Sequence, residues 1–273
     1  MVKRIQHWSN CNQCEMTFSV FIPEPPKRTS PPPPVLYFLS GLTCTDQNAK
    51  EKAAVFEHAA KAHIAIVWPD TSARGVEIAG QDDSYDFGSG AGFYLDATTE
   101  AYSKHYNMET YITEELPDVV SQLFRVDTAR AGITGHSMGG HGALSLHFKH
   151  PGMYKSVSAF APISNPTQCN WGIKAFTGYL GSVEAGKAHD ATELVATYAG
   201  PQVPILVDQG AADAWVTAEH DQLRAKHFTA ACAKAKYPLN FRMQPGYGHD
   251  YYFVQTFVAD HVQFHARNLG AAM

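Results

Sequence analysis

The twelve residues from 131 to 142, with the sequence AGITGHSMGGHG, constrain this chain more than any other stretch. An apolar, β-branched run stops at glycines that flank Ser137, and residues 143–148 continue with the apolar spacing of a helix. Gly135-His-Ser-Met-Gly139 fits the Gly-x-Ser-x-Gly nucleophile elbow, in which a strand turns sharply into a helix and strains the serine backbone. Glycine has no Cβ, so it fits where such a turn leaves no room. The stretch predicts a nucleophilic Ser137, and the alternative is a glycine-rich turn with an incidental serine.

Length, charge and cysteine usage narrow the class of protein. A chain of 273 residues, 45% of them hydrophobic, can bury a large core, and we expect one domain over residues 1–273. The formal net charge of -5, without any Lys/Arg-rich run, argues against nucleic acid or an anionic membrane surface as a partner. The first residues are followed by polar sequence, and no apolar stretch is long enough to span a bilayer, so we expect neither export nor membrane insertion. Five irregularly spaced cysteines favour a reduced, cytoplasmic protein over a disulfide framework.

Apolar runs predict the sheet. Residues 35–39 and 64–68 are almost entirely apolar, which is typical of strands buried on both faces of a mainly parallel sheet. The segment 49–63 between them is helical in character, and residues 16–22 alternate polar and apolar side chains as an antiparallel strand does. The sequence therefore predicts an α/β fold.

The loop after the first of the buried strands, Ser40–Thr45, lies at the carboxyl end of a strand, where open α/β sheets place their ligand sites. An oxyanion hole needs two backbone N–H donors, one from the residue after the nucleophile and one from such a loop. We predict that Met138 and Leu42 provide them. The same spacing also fits a simple turn.

Four other segments carry weaker signals. Cys11 and Cys14 have the spacing of half a zinc or redox site, but no second pair accompanies them, so we expect ordinary thiols near a frayed terminus. The proline-rich segment 23–34 is expected to be a stiff surface loop, with a polyproline ligand as the alternative. Residues 69–96, rich in Gly, Asp and aromatics, predict an ordered loop that frames a substrate mouth. Residues 113–124 have the spacing of a packed helix.

A serine hydroxyl near neutral pH needs a base to accept its proton and a third group to orient that base. Residues 204–213 form an apolar run that ends in a glycine turn followed by Asp213, and residues 239–249 form an alternating run that ends in a glycine-rich loop with His249. Serine, then acid, then histidine is the chain order of α/β-hydrolases. We predict Asp213 as the orienting acid and His249 as the base. Asp208 is the rival acid, but it lies inside the predicted strand.

Motifs dispersed over almost the whole chain resemble the esterase D family of S-formylglutathione hydrolases. They are Ser40–Thr45, Pro69–Gly75, Tyr85–Ala97, Gly135–Ala143, Tyr154–Ile163 and Tyr251–Phe253. The resemblance implies the α/β-hydrolase fold, with a mostly parallel twisted sheet, helices on both faces and a small cap. It also implies Ser137, His249 and Asp213 as the triad, which agrees with the analysis of the residues alone.

The activity implied by this resemblance is hydrolysis of the thioester S-formylglutathione to glutathione and formate, the closing step of glutathione-dependent formaldehyde removal. Side activity on short-chain acyl esters, a cytoplasmic setting and a homodimer are implied as well. Neither a metal nor an organic cofactor is expected. A general carboxylesterase or acyltransferase with the same triad is one alternative, and a hydrolase-fold binding protein without turnover is another.

Two further residues are predicted to contact substrate, and two segments depart from the family pattern. The thiol of Cys44 is expected to border the site, with an inert buried cysteine as the alternative. Trp171 is expected to wall a small acyl pocket, with packing inside the cap as the alternative. Relatives usually have Asp and Ser where this chain has Gly248 and Asp250, and a cysteine is common at the position of Ser164.

Overall fold

The structure is a computed structural model that describes residues 1–25, 27, 29–217 and 220–271. Within these ranges, eight strands form one sheet in the spatial order β1-β2-β4-β3-β5-β6-β7-β8. Their bounds are β1 Val2–Ser9, β2 Cys14–Phe21, β3 Pro34–Leu39, β4 Ala65–Pro69, β5 Asp127–Gly135, β6 Tyr154–Phe160, β7 Ile205–Gly210 and β8 Leu239–Gln244. The pairings β1 with β2 and β2 with β4 are antiparallel, and the remaining five are parallel. The predicted mostly parallel sheet is confirmed.

The prediction of a frayed amino terminus was wrong. All eight residues of β1 pair with β2, from Val2 opposite Phe21 to Ser9 opposite Cys14. Most side chains of β1 are exposed because the strand forms the edge of the sheet, so it carries no run of apolar residues that would reveal it. Cys11 lies in the turn between the two strands, where its thiol contacts the carboxylate of Glu115.

Helices cover both faces of the sheet, as the resemblance implied. Helix α10 packs with α1 and α2 and contacts β5, β6 and β7, whereas α5 packs with α8 and contacts β3, β5 and β6. The bounds are α1 Asn48–Lys52, α2 Phe56–Lys61, α3 Met108–Thr110, α4 Leu116–Leu123, α5 Met138–Lys149, α6 Asn170–Leu180, α7 Val183–Gly186, α8 Ala191–Leu194, α9 Ala225–Ala235 and α10 Tyr251–Leu269.

Two predicted helices differ in detail from the structure. The segment 49–63 forms two short helices, α1 and α2, instead of one. The segment 113–124 begins inside a π-helical turn, Tyr111–Glu115, and becomes α4 only at Leu116. The predicted cap corresponds to the short helices α6, α7 and α8 between β6 and β7.

The long segment 70–107 has little regular structure but is held by hydrogen bonds. The Gly90 amide donates to Ser72 Oγ at 2.8 Å, and the Gly90 carbonyl accepts from the Thr43 amide at 2.9 Å. This loop therefore packs directly on the loop Ser40–Thr45. In the predicted proline-rich loop, Pro26 and Arg28 lie outside the described residues.

None of the helices described here is long and apolar enough to cross a membrane.

Candidate active site

Ser137 sits in a strained turn between β5, which ends at Gly135, and α5, which begins at Met138. Its φ of 59° and ψ of -118° are unfavourable for a residue with a side chain, and the surrounding packing must hold them. A Cβ added to Gly135 would lie 2.2 Å from the Gly139 carbonyl oxygen, and one added to Gly139 would lie 2.1 Å from that of Leu39. The first glycine is required by the turn itself, and the second by the neighbouring strand β3.

The structure brings Ser137, His249 and Asp213 together, although 112 residues separate the first two. Ser137 Oγ lies 2.9 Å from His249 Nε2, and Asp213 Oδ2 lies 2.6 Å from His249 Nδ1. A carboxylate only accepts hydrogen bonds, so Nδ1 carries the proton and Nε2 is left to accept one from the serine. This is the arrangement in which a histidine acts as a general base toward a serine.

Asp213 is buried and held by two further donors. Its Oδ1 accepts from the backbone amide of Trp215 at 2.9 Å, and its Oδ2 accepts from Gln209 Nε2 at 3.1 Å. These bonds fix the carboxylate in the direction of His249. Gln209 and Trp215 had not been predicted as partners, because neither residue type identifies the neighbour of a catalytic acid.

The rival acid, Asp208, points away from His249. It accepts from His261 Nε2 at 2.9 Å, from Gln244 Nε2 at 2.9 Å and from Arg242 Nε at 2.7 Å. Burial opposes its ionisation, but the bonds from His261 and Arg242 outweigh burial and lower the pKa of Asp208 to about 2. Asp208 therefore belongs to a buried network under α10, as its place within a strand predicted.

Two backbone amides lie open beside the serine. In the part of the chain described, the N–H groups of Met138 and Leu42 have no backbone acceptor. Met138 is the first residue of α5, whose initial N–H groups lack helical partners. Gly41 lies against Ser137, since a Cβ added to it would be 3.1 Å from the serine Cβ. Leu42 is the next residue and lines the same cavity as Ser137, so its amide remains the candidate for the second donor of the predicted oxyanion hole.

A cavity of about 240 Å³ opens over Ser137 and His249. Cys44 and Trp171, both predicted to contact substrate, line this catalytic cavity. Burial raises the pKa of the Cys44 thiol, so a reactive thiolate is disfavoured there. The remaining lining residues are Gly41, Leu42, Thr43, Tyr85, His136, Trp215 and Tyr251.

Four aromatic residues of this lining were missed by the sequence analysis: Tyr85, His136, Trp215 and Tyr251. The Trp171 and Trp215 rings lie 4.6 Å apart, and Trp171 Nε1 donates to the Tyr85 hydroxyl at 3.0 Å. These three come from the long loop, the cap and the loop after β7, so no local pattern links them. Three of the four had an available signal: His136 occupies the variable position of the nucleophile elbow, Tyr85 lies in the loop predicted to frame the substrate mouth, and Tyr251 begins one of the family motifs.

The buried His136 ring lies 4.6 Å from the His249 ring, centroid to centroid. Burial lowers the pKa of His136 well below its usual value, and the nearby His249 acts in the same direction. His136 is therefore a neutral ring that packs against the proposed base.

One of the two departures in the histidine loop, Asp250, has a structural role. Asp250 caps α10, because its Oδ1 accepts from the amides of Tyr252 and Phe253 at 2.9 and 3.2 Å. A serine at this position could cap the helix in the same way.

Among the described residues, no group of three or more His, Cys, Asp or Glu side chains could hold a metal ion.

Sequence and structure comparisons identify the relatives of the chain. The model of the Esterase family matches residues 9–264. S-formylglutathione hydrolase from Bos taurus is 50% identical over 270 residues, which cover 98% of this chain and 94% of the bovine protein. The chain belongs to the S-formylglutathione hydrolase family. The Arabidopsis thaliana member is 49% identical over 269 residues, covering 98% of this chain and 93% of the plant protein.

A solved structure of a family member has the same fold as this chain. An S-formylglutathione hydrolase from Agrobacterium tumefaciens superposes with a TM-score of 0.92 at 42% identity, covering 99% of this chain and 96% of the bacterial chain. The predicted α/β-hydrolase fold is confirmed. Membership of the family also identifies the protein as an enzyme of the serine hydrolase type, and not a binding protein on a hydrolase scaffold.

Proposed function

We propose that this enzyme hydrolyses S-formylglutathione to glutathione and formate, with Ser137 as nucleophile, His249 as base and Asp213 as orienting acid. The observation that carries the proposal is the hydrogen-bonded chain from Ser137 Oγ through His249 to Asp213, at 2.9 and 2.6 Å, beside two open amides. The names of the relatives that are about half identical to the chain supply the substrate.

The first step forms a formyl-serine. His249 Nε2 accepts the Ser137 proton while Oγ attacks the formyl carbon, and the carbonyl oxygen takes the electron pair of its π bond. The Met138 and Leu42 amides stabilise this oxyanion, each donor contributing about 3 kcal/mol. The intermediate then collapses, the C–S bond breaks, and the glutathione sulfur leaves with the pair and receives the proton from His249.

The second step releases formate. His249 accepts a proton from water, the water oxygen attacks the formyl-serine carbon, and the same amides hold the second oxyanion. Collapse breaks the bond to Ser137 Oγ, which recovers its proton from His249. The product of this collapse is formic acid, which loses a proton to solvent at neutral pH to give formate. With that proton, every atom and charge is accounted for by the thioester, one water molecule and the three side chains.

Short-chain acyl esters are proposed as secondary substrates. Esters pass through the same tetrahedral intermediate, and a cavity of about 240 Å³ offers more room than a formyl group needs. A general carboxylesterase with the same triad would show the opposite preference, in favour of longer acyl esters.

The test is steady-state kinetics on S-formylglutathione, p-nitrophenyl acetate and p-nitrophenyl butyrate. We expect kcat/KM to be highest for the formyl thioester, with Ser137→Ala as the control for background hydrolysis. An active preparation that cleaves the esters but not the thioester would overturn the proposal.

We further propose that residues 1–273 form one domain, that the enzyme is a cytoplasmic homodimer, and that it acts in formaldehyde removal. The cytoplasmic setting is supported by the five cysteines, all of which are free thiols, since disulfides persist mainly in oxidising compartments. The homodimer and the metabolic role rest on the family resemblance. Sedimentation equilibrium at micromolar concentration would separate a dimer from a monomer.

A further inference from the structure

A second groove, of about 510 Å³, adjoins the catalytic cavity, and Tyr251 lines both. Its other walls are Glu51 and Lys52 at the end of α1, and Asp250, Tyr252 and Gln255 at the start of α10. We call this surface the Lys52 groove. Its wall begins with Asp250, the residue after His249, which is the group that delivers a proton to the departing sulfur.

Lys52 provides the positive charge of this groove. Its ammonium lies 5.9 Å from the centroid of the Tyr251 ring, and its charge acts on the Cys44 thiol in the catalytic cavity. Within the described ranges it forms no ion pair with a carboxylate, whereas Lys174, one turn after Trp171 on α6, pairs with Asp86 at 2.6 Å. Lys52 is thus a cation at the rim of the site without a direct ion pair in the described chain. Two carboxylates line the same groove, but that of Glu51 lies 3.9 Å from Lys50, and that of Asp250 accepts from the amides of Tyr252 and Phe253. They offer a place for the substrate ammonium beside the Lys52 charge.

The composition of the proposed substrate requires a surface with positive charge outside the catalytic cavity. A formyl group is the smallest acyl group, so nearly all of S-formylglutathione is leaving group, and it carries two carboxylates and one ammonium. The described lining of the catalytic cavity contains no lysine or arginine, and Leu42, Trp171 and Trp215 give it a largely apolar wall. The glutathionyl part must therefore find its ionic contacts outside that cavity.

We propose that the glutathionyl part of the substrate lies in the Lys52 groove and that the Lys52 ammonium binds one of its carboxylates. This inference rests on the proposed function, since it assigns the leaving-group side of the same reaction. Tyr251 forms the wall that connects the two parts of the site, with the thioester on one side and the peptide on the other. Lys52 is then a specificity-determining residue that acts on binding and not on the chemical step.

The experiment compares two formyl thioesters in the wild-type enzyme and in Lys52→Ala. S-formylglutathione carries both carboxylates, and S-formyl-N-acetylcysteamine carries neither. Lys52 is exposed. Because a charge-assisted contact at an exposed site changes affinity by at most about fivefold, Lys52→Ala should lower the ratio of the two kcat/KM values about threefold to fivefold, through KM and not kcat. Lys52→Arg should restore most of the ratio, and Lys52→Glu should lower it further.

A matched control and an independent readout complete the design. Lys61→Ala removes a lysine on α2 that pairs with Glu57 on the surface and lines neither cavity, so both thioesters should be hydrolysed as by the wild type. S-methylglutathione should inhibit p-nitrophenyl acetate hydrolysis competitively, with a weaker inhibition constant in Lys52→Ala and a salt dependence that disappears in that variant.

The outcomes separate the two proposals. A wild-type enzyme that does not hydrolyse S-formylglutathione overturns the proposed function. A wild-type enzyme that hydrolyses it, with the same substrate ratio and the same inhibition constant in Lys52→Ala, overturns the Lys52 groove alone.

Discussion

Within the described residues, two groups of side chains each join a serine, a histidine and an aspartate by hydrogen bonds, and they differ in their access to a cavity. The first is the proposed triad, in which Ser137 contacts His249 Nε2 at 2.9 Å and Asp213 contacts Nδ1 at 2.6 Å. It stands at the carboxyl ends of the strands, under the catalytic cavity.

The second group lies between the sheet and α10. Ser158 Oγ is 2.8 Å from His261 Nδ1, and Asp208 Oδ2 is 2.9 Å from His261 Nε2. The order of contacts is the same, although the two ring nitrogens are exchanged. Burial lowers the pKa of His261, with Asp208 acting in the opposite direction, so the ring is a neutral acceptor toward the Ser158 hydroxyl.

The surroundings of the two serines differ in ways that decide their chemistry. Ser137 is held at a positive φ in a turn, with open amides beside it and a cavity above it. Ser158 lies within β6, fully buried, and Thr134 Oγ1 and His265 Nε2 lie within 2.8 Å of its oxygen. Ser158 lines none of the five main cavities of the described residues.

The carboxylates differ as well. The oxygens of Asp213 accept from His249 and from neutral donors. Asp208 instead forms an ion pair with Arg242, which also pairs with Asp260 at 2.7 Å. A serine, a histidine and an aspartate in contact are therefore not sufficient for a hydrolase. Access, open oxyanion donors and a carboxylate committed to the histidine distinguish the proposed site from a structural network.

The sharpest test of this comparison replaces each serine by alanine. Ser137→Ala should lower kcat for S-formylglutathione by more than about 10⁴-fold, since losses of this size follow removal of a triad nucleophile. Ser158→Ala should keep an activity close to that of the wild type at 25 °C while losing about 1–3 kcal/mol of unfolding free energy, because buried partners are left unpaired. Kinetics and urea unfolding of both variants give the two readouts.

Substantial activity in Ser137→Ala would show that the nucleophile lies elsewhere. A folded Ser158→Ala with a kcat as low as that of Ser137→Ala would remove the distinction between the two groups.

The aspartates provide the next contrast. Asp213→Asn should lower kcat by about 10⁴-fold with little change in unfolding free energy, because an amide favours the wrong histidine tautomer. Asp208→Asn should cost about 3–5 kcal/mol of unfolding free energy, as expected when one partner of a buried ion pair is removed, and should leave kcat per folded molecule nearly unchanged. The contrary pattern, with the large kcat loss in Asp208→Asn, would assign the acid to Asp208.

The sequence predicted those parts of the fold and site that depend on local rules. Gly135 and Gly139 indicate a turn with no space for a Cβ. An apolar strand followed by a glycine-rich loop precedes both Asp213 and His249, and this pattern places the two side chains at the same edge of the sheet. These signals lie within a few residues of the group that they identify. They led to the arrangement of the three side chains that the structure contains.

The parts that the sequence did not predict depend on contacts between distant segments. An exposed edge strand such as β1 has no apolar run, and the aromatic wall of Tyr85, Trp171 and Trp215 is assembled from three separate loops. His261, on α10, has the residue type of a catalytic base, and nothing in its local sequence marks it as a structural histidine. Its burial against Ser158 and Asp208 is visible only in coordinates.

The smallest expected effect is the pH dependence of the contribution that buried Asp208 makes to the unfolding free energy. The pKa of Asp208 is lowered to about 2, below an unfolded value of about 3.9, so its ionisation stabilises the fold above pH 4 and this contribution is lost as the pH falls toward 2. The difference in unfolding free energy between the wild type and Asp208→Asn should therefore shrink by about 1 kcal/mol between pH 6 and pH 3. Urea unfolding at a series of pH values measures this difference directly, and other carboxylates that titrate in the range, such as Glu109, cancel because both proteins contain them. A difference that stays constant down to pH 3 would mean that the ion pair with Arg242 does not hold the Asp208 charge, and the electrostatic part of the contrast between the two aspartates would then be wrong.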